Sequence, residues 1–199
     1  MTALFAALIV ASPLHLTYVR HSETVANATG KYNARTLNTF SAKGEILVQK
    51  LTERLLKEPR PDGILVSPSP RALRTIAPYL RRTGQKATVW PLLYECCTER
   101  PRQPEAKSFS YGGKIDIPAD VAGLFVVLPG QDRLPAPRNY GEGLAQVSRS
   151  VEGFRKSFHS GRVMLVGHSA HGGKFLKALT GKSYHVKNAE PIEIDLAPR

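Results

Sequence analysis

The stretch HLTYVRHSET, residues 15–24, passes directly from a run of apolar, β-branched and aromatic residues into Arg20 and His21. Residues 14–19 have the composition of a strand that is buried on both faces, as in a parallel sheet. The polar residues at its end allow two interpretations. They cap a strand end that faces water, or they form an anion-binding site that contains a nucleophile.

Strand and helix patterns alternate along the rest of the chain. The further predicted strands are GILVSP (63–68), ATVWPLL (87–93), RVMLVGH (162–168) and an edge strand, PIEIDL (191–196). Helices with one apolar face are predicted over residues 41–59, 70–82, 141–158 and 172–181. Such alternation is typical of an α/β fold. We therefore expect a three-layer sandwich, with a mostly parallel sheet and helices on both of its faces.

Two local features bear on the element boundaries. The stretch from 22 to 39 is polar and rich in Asn and Thr, so it is predicted to be a loop. Ser41 is expected to cap the helix that follows this loop. Pro78 lies inside the helix predicted over 70–82 and should end or kink it, because proline has no backbone N–H to donate.

The chain is expected to contain one domain, residues 14–199, with a lid or insertion at about 96–140. That segment is rich in Pro, Gly and basic residues and is too long for a simple connection. Residues 1–13 form an apolar lead-in that is too short to span a bilayer. It resembles a signal peptide only weakly, since it lacks a basic start. We expect a cytoplasmic protein, with export through this segment as the alternative.

The charge balance is strongly basic. The 199 residues include 28 Lys and Arg against 16 Asp and Glu, a formal net charge of +12. This excess either serves solubility or indicates a partner or substrate that carries negative charge. The basic residues are scattered and are not interleaved with aromatic residues, as they would be in a surface that stacks bases. Nucleic acid is therefore not the expected partner.

The chain has two cysteines, Cys96 and Cys97, which are adjacent. This spacing fits neither a disulfide framework nor a metal-binding motif. We expect two reduced thiols.

Several residues that suit phosphate chemistry follow the predicted strands. Because ligands collect at the carboxyl ends of parallel strands, residues that follow those ends are expected to meet at one edge. The residues in question are Arg20 and His21 after the first strand, Arg71 after the second, Glu95 after the third and His168 at the end of the strand over 162–168.

Each residue type has a defined use in phosphoryl transfer. Arginine donates bidentately to phosphate oxygens, and a neutral imidazole has a lone pair for attack on phosphorus. A carboxyl among apolar neighbours has a raised pKa and suits a general acid. Taken singly, each residue has a plain structural explanation, such as a strand cap, a helix surface charge or a satisfied core histidine. Their chain order and shared edge favour a phosphate site.

Five motifs in this order resemble the histidine phosphatase superfamily, also called phosphoglycerate mutase-like. VRHSETVAN (19–27) is similar to the family's VRHGE-x-x-x-N, and VSPSPRALRT (66–75) to its SP-x-x-RA-x-x-T. The remaining motifs are LLYE (92–95), NYGEGLAQVSRSVEGF (139–154) and RVMLVGHSAHGG (162–173). The resemblance extends over about 14–196, and only the expected insertion lacks a match.

The resemblance implies a role for each matching residue. His21 would be the nucleophile that becomes phosphohistidine, and Glu95 the proton donor and later the base for water. The implied phosphate pocket consists of Arg20, Arg71 and His168, with Thr24 and Asn27 lining it and Gly141 and Glu142 at a less uniform corner. The implied reaction needs no metal or other cofactor, and its substrate would be a phosphorylated small molecule.

The sequence departs from the family pattern at three places. Ser22 stands where the family has Gly, and Gly143 where it has Ser. In GHSAHGG, the strand end favours His168 as the second pocket histidine, whereas the HGG register before the helix favours His171. We favour His168, because the strand end determines the reach to the phosphate edge.

The resemblance leads to a phosphatase that hydrolyses a phosphomonoester through phosphohistidine without metal. Mutase-type phosphoryl transfer is the alternative within the family. A non-catalytic anion- or nucleic-acid-binding protein on the same fold is the alternative from another class, and only the net charge supports it.

Overall fold

Six strands form one sheet in the computed structural model, which describes residues 13–97 and 111–197. The strands are β1 (Leu14–Arg20), β2 (Gly63–Val66), β3 (Ala87–Val89), β4 (Phe125–Val127), β5 (Gly161–Gly167) and β6 (Ile192–Leu196). They are ordered β4-β3-β2-β5-β1-β6, and every neighbouring pair is parallel except β1 with β6. The expected mostly parallel sheet is confirmed.

Helices pack on both faces of this sheet. They are α1 (Val25–Thr29), α2 (Ala34–Asn38), α3 (Ala42–Leu55), α4 (Pro70–Thr83), α5 (Tyr140–Ser157) and α6 (Ser169–Thr180). Alternate residues of β1 enter two separate apolar cores. Val19 packs in the core that includes α3 and α4, and Tyr18 in the core that includes α5 and α6. The three-layer sandwich is therefore confirmed.

The strand register brings three strand ends side by side. Arg20 is paired with Gly167 across β1 and β5, and Val66 with Val166 across β2 and β5. Just beyond them, the backbone N–H of His21 donates to the carbonyl of Gly167 at 2.9 Å. Chain segments that are distant in sequence thus meet at one edge of the sheet.

The polar stretch from 22 to 39 contains two short helices, so the prediction of a loop is wrong. Each helix begins with a capping box. In α1, the Thr24 hydroxyl accepts from the backbone N–H of Asn27, and the Asn27 side chain accepts from that of Thr24. Asn33 and Thr36 do the same in α2. These helices depend on local capping rather than on an apolar face, and apolar periodicity therefore does not indicate them.

Pro78 is expected to end or kink helix α4, and the helix continues through it to Thr83, so Pro78 does not end it. An interior proline costs about 3 kcal/mol or more. The side chains of Ile76, Tyr79 and Leu80 around it are buried in the core. Burial of one such large apolar side chain contributes about 1.5–3 kcal/mol, so packing outweighs the cost of the proline.

Part of the segment expected as a lid or insertion belongs to the sheet. The apolar run GLFVVLP forms a 3₁₀ turn, Ala122–Leu124, and then β4. Strand β4 pairs with β3, where Ala87 lies opposite Phe125, and so covers an edge that would otherwise expose its backbone groups. The rest of that expectation includes residues 98–110, which lie outside the described residues, as does the apolar lead-in before Pro13.

Cys96 and Cys97 form a disulfide bond with each other, so the expectation of two reduced thiols is wrong in this structure. Side chains of successive extended residues point in opposite directions. Cys97 departs from that pattern, with a φ of 64°. Both residues are buried against α5.

Within residues 13–97 and 111–197, no helix is long and apolar enough to cross a lipid bilayer. The compartment remains a prediction.

Helix α6 contacts β1 closely at Gly172. A Cβ built there would lie 2.6 Å from Cε1 of Tyr18, whereas a Cβ at the next residue, Gly173, would meet no atom within 4 Å. We expect Gly172→Ala to lower the free energy of unfolding by about 1–3 kcal/mol through overpacking. Gly173→Ala is the matched control and should raise it by about 0.5–1 kcal/mol. Urea denaturation measures both, and equal effects would contradict the close contact.

Candidate active site

His21 lies directly after β1 and is 4% exposed. Its Nδ1 lies 2.7 Å from the backbone carbonyl of Ser22. A carbonyl only accepts hydrogen bonds, so Nδ1 carries the proton of the neutral ring and Nε2 keeps its lone pair. Burial, followed by the charge of Arg71, holds the pKa of His21 well below its usual value. The imidazole is therefore neutral at physiological pH.

The backbone around His21 is held from several sides. The Ser22 N–H donates to Thr75 Oγ1 at 2.9 Å, and the Ser22 hydroxyl donates to the Gly44 carbonyl at 2.7 Å. The Asn188 side chain donates to the His21 carbonyl at 2.8 Å. The hydroxyl of Ser22, which stands in place of the family's Gly, thus has a partner of its own outside the pocket.

Two arginines come close to His21 from different elements. Arg20 ends β1, and its NH1 donates to the Val186 carbonyl at 3.2 Å. Its Nε is buried and has no hydrogen-bond partner within the described part of the chain. Arg71, in the first turn of α4, is 4% exposed. Burial lowers the pKa of both guanidiniums, but arginine stays protonated in proteins. The edge of the sheet therefore holds two positive charges, the buried Arg71 and the partly buried Arg20.

His168 lies between β5 and α6, and its ring centroid is 5.2 Å from that of His21. Its Nδ1 is 3.2 Å from NH2 of Arg71, and its Nε2 is 2.7 Å from the Ser67 hydroxyl. Burial and the charge of Arg71 hold the pKa of His168 well below its usual value. This ring therefore belongs to the same buried group as His21 and Arg71.

His171 lies apart from that group. Its ring stacks on Phe175 with centroids 6.0 Å apart, and its Nε2 is 3.2 Å from the Ser150 hydroxyl. Burial lowers its pKa to about 3, so it stays neutral. The structure thus places the side chain of His168 beside His21, and the side chain of His171 in the core between α5 and α6.

Glu95 follows the 3₁₀ turn after β3 and is 8% exposed. Its Oε1 accepts from the backbone N–H of His171 at 2.9 Å and from that of Cys96 at 3.2 Å. Burial raises the pKa of Glu95, although the backbone N–H of His171, the charge of Arg71 and the backbone N–H of Ala170 oppose the rise. A carboxyl with a raised pKa near two arginines is suited to donating and accepting a proton.

Thr24 and Asn27, predicted to line the pocket, contribute first to the local structure beside it. Thr24 is fully buried, and its hydroxyl is occupied by the cap of α1. The Asn27 side-chain oxygen accepts from Thr24 and, at 3.5 Å, from Asn188. These residues hold the wall next to His21.

Gly141 and Glu142 lie at the start of α5, and Glu142 is bound to Arg138 through an ion pair of 2.8 Å. The nearby departure at Gly143 has a steric explanation. A Cβ at 143 would lie 2.9 Å from Sγ of Cys97, so the paired cysteines occupy the space that a serine would need.

Three residues that were not predicted as site residues contact the backbone or ring of His168 or the backbone of His21. The Tyr18 hydroxyl donates to the His168 carbonyl at 2.9 Å and accepts from its backbone N–H at 3.0 Å. The Tyr94 ring lies edge-on to His168 at 6.3 Å. The presence of a tyrosine in a buried strand does indicate a hidden hydrogen-bond partner. Asn188 has no such signal, because it is 167 residues from its partner, His21.

Comparison with known proteins identifies a matching family and similar folds. The family model described as histidine phosphatase superfamily (branch 1) matches residues 16–197. No curated protein sequence is significantly similar to the chain.

Three solved structures illustrate the similarity of fold. A candidate alpha-ribazole-5'-P phosphatase from Escherichia coli has a TM-score of 0.64 at 17% identity, covering 92% of this chain and 91% of that one. A phosphoserine phosphatase from Entamoeba histolytica, solved with 3-phosphoglyceric acid, has a TM-score of 0.59 at 15% identity over 90% and 89%. The product of open reading frame Rv3214 from Mycobacterium tuberculosis has a TM-score of 0.58 at 15% identity over 92% and 96%.

Proposed function

Because the chain belongs to the histidine phosphatase superfamily, we propose that it is a phosphatase that hydrolyses phosphomonoesters of small molecules through a phosphohistidine intermediate, without a metal ion. One observation carries this proposal. The Nδ1–H of His21 is bound to the Ser22 carbonyl, so a neutral imidazole keeps the lone pair of Nε2 beside Arg71 and His168.

The first step transfers the phosphoryl group to His21. Nε2 attacks phosphorus in line with the ester oxygen, the P–N bond forms and the P–O ester bond breaks. Glu95, whose pKa is raised by burial, gives its proton to the leaving oxygen when it is in the protonated form. The guanidiniums of Arg20 and Arg71 stabilise the negative charge on the phosphoryl oxygens.

The second step returns the enzyme to its starting state. The Glu95 carboxylate takes a proton from water, whose oxygen attacks phosphorus. The P–N bond breaks, inorganic phosphate leaves, and Nε2 regains its lone pair. Glu95 is again protonated, so protons and charge balance over the cycle.

The buried charges support an anionic substrate. The Nε of Arg20 is a buried donor with no partner within the described residues, and such a group costs stability unless a ligand satisfies it. The names of two similar folds, an alpha-ribazole-5'-P phosphatase and a phosphoserine phosphatase, refer to small phosphomonoesters. A substrate of this class is consistent with the buried site.

Phosphate release from a panel of small phosphomonoesters tests the proposal. We expect turnover that persists in the presence of a chelator. Loss of activity on chelation would overturn the metal-independent route. With a phosphoester whose phosphate carries an isotopic label, transfer of the label to a second alcohol, with no release to water, would indicate a mutase instead. Salt-dependent DNA binding without any turnover would indicate a binding protein.

Alanine substitution compares the two candidate histidines. We expect His168→Ala to reduce kcat/KM by about 10²-fold, the typical effect of removing one group that stabilises transition-state charge. His171→Ala should cause a much smaller loss, because its side chain faces Phe175 and only its backbone reaches Glu95. Steady-state kinetics measure both. A larger loss for His171→Ala would reassign the second histidine.

A further inference from the structure

Ser67 forms the shortest side-chain contact to the His168 ring. It follows β2, is fully buried, and its Oγ lies 2.7 Å from Nε2 of His168. The hydroxyl of Ser69 is farther from the same nitrogen, at 3.3 Å. The parallel register of β2 and β5 produces this arrangement, since the Ser67 N–H donates to the Val166 carbonyl at 2.8 Å.

The two ring nitrogens of His168 have different partners, and these determine its tautomer. A guanidinium has only donors, so Nδ1 of His168, 3.2 Å from NH2 of Arg71, must accept. The proton of the neutral ring is therefore on Nε2, where the Ser67 hydroxyl accepts it. In this state His168 has no N–H to donate toward His21 and Arg71.

A bound phosphoryl group changes that balance. Phosphate oxygens accept hydrogen bonds from the guanidinium of Arg71. Nδ1 of His168, which carries no proton, then faces a phosphate oxygen that is also only an acceptor. A proton on Nδ1 resolves the conflict, because the imidazolium donates from both nitrogens: to Ser67 through Nε2 and to the phosphoryl oxygen through Nδ1. The negative charge of the ligand favours this protonation.

We propose that Ser67 is a positioning residue that holds His168 by Nε2–H, so that binding of a phosphoryl group protonates Nδ1 and converts His168 from an acceptor into a donor. This inference rests on the phosphate-binding part of the proposed function, since it assigns the phosphoryl group to this pocket. The other ionisable or charged groups that act on the His168 ring are Arg71 of α4, Arg20 at the end of β1, His21 directly after it, Tyr94 after β3, and His171 of α6.

Long-range ¹H–¹⁵N spectra of protein labelled with ¹⁵N-histidine test the tautomer directly, with inorganic phosphate as the ligand. We expect His168 to be protonated at Nε2 alone in the free protein and at both nitrogens with phosphate bound. An Nδ1–H tautomer in the free protein, or a neutral ring in the complex, would overturn the proposal. Because neither spectrum requires turnover, an inactive protein with these signals would contradict the proposed function and leave this inference standing.

Substitution of Ser67 tests its role in positioning. Ser67→Ala should weaken phosphate binding and lower kcat/KM by about tenfold or more, because Nε2–H loses the acceptor that holds the ring, although Arg71 still leaves the proton on Nε2. Ser67→Cys, which fills similar space with a weak hydrogen-bonding group, should behave alike and separates the hydrogen bond from packing. Ser150→Ala is the matched control, because it removes the hydroxyl 3.2 Å from Nε2 of His171, outside the pocket. Equal phosphate affinity in the Ser67 and Ser150 variants would overturn the proposal.

Discussion

His21→Ala is expected to reduce phosphoester turnover by about 10⁴-fold or more, the scale of loss seen when an enzyme loses its nucleophile. Within the described residues, His21 is the imidazole that lies beside both Arg71 and His168 and keeps the lone pair of Nε2. The substitution leaves both arginines in place, so phosphate affinity should fall far less than turnover. Measurements of phosphate release and of phosphate binding on the same preparation separate the two effects.

The control for this variant is His15→Ala, which removes a histidine from the same strand, where it pairs with Asp195 away from the pocket. It should retain turnover. A labelled phosphoester should also leave phosphate on the wild-type protein, trapped in alkali, and none on His21→Ala. Turnover that survives in His21→Ala would rule out the phosphohistidine route.

The strand ends of the candidate site could be predicted from the sequence. The apolar runs that form β1 and β5 stop at Arg20 and Gly167, and the rule that ligands collect at the carboxyl ends of parallel strands then groups His21 with His168. Arg71 follows because a helix starts at Pro70, directly after Ser69. The roles of these residues remain predictions, but their proximity follows from chain order and strand direction alone.

The contacts that orient those side chains could not be predicted in the same way. The hydrogen bond between His168 and Ser67 depends on the residue-level register of β2 against β5, which the apolar pattern does not determine. Helices α1 and α2 depend on capping boxes within a polar stretch. The buried position of Glu95 near the arginines depends on a turn of three residues after β3. In each case the contact depends on local backbone geometry that the periodicity of apolar residues does not determine.

The pH profile should reflect two pKa shifts of opposite direction. His21 must be neutral to attack, and its pKa is lowered, so activity rises as pH increases through that low value. Glu95 must be protonated to donate, and its pKa is raised, so activity falls as pH increases through that value. A bell-shaped profile of kcat/KM is expected, with its optimum between the lowered pKa of His21 and the raised pKa of Glu95. The substrate phosphate also titrates, at pH ~6, so a variant is needed to assign each limb of the pH profile to His21, Glu95 or the substrate.

Glu95→Gln supplies that assignment and should lower kcat/KM for alkyl phosphates by about 10²–10⁴-fold, since it removes the proton donor. Glutamine keeps an oxygen that can accept from the N–H groups of His171 and Cys96, so the fold is retained. The alkaline limb should disappear, and it should persist in Glu53→Gln, a control on the exposed face of α3.

Aryl phosphates with good leaving groups need less protonation, so they should show a rapid burst followed by slow hydrolysis of the phosphoenzyme. An equal loss for alkyl and aryl substrates with an unchanged pH profile would show that Glu95 transfers no proton. Proton transfer from Glu95 makes the loss depend on the leaving group and makes the rate depend on the ionisation of this carboxyl.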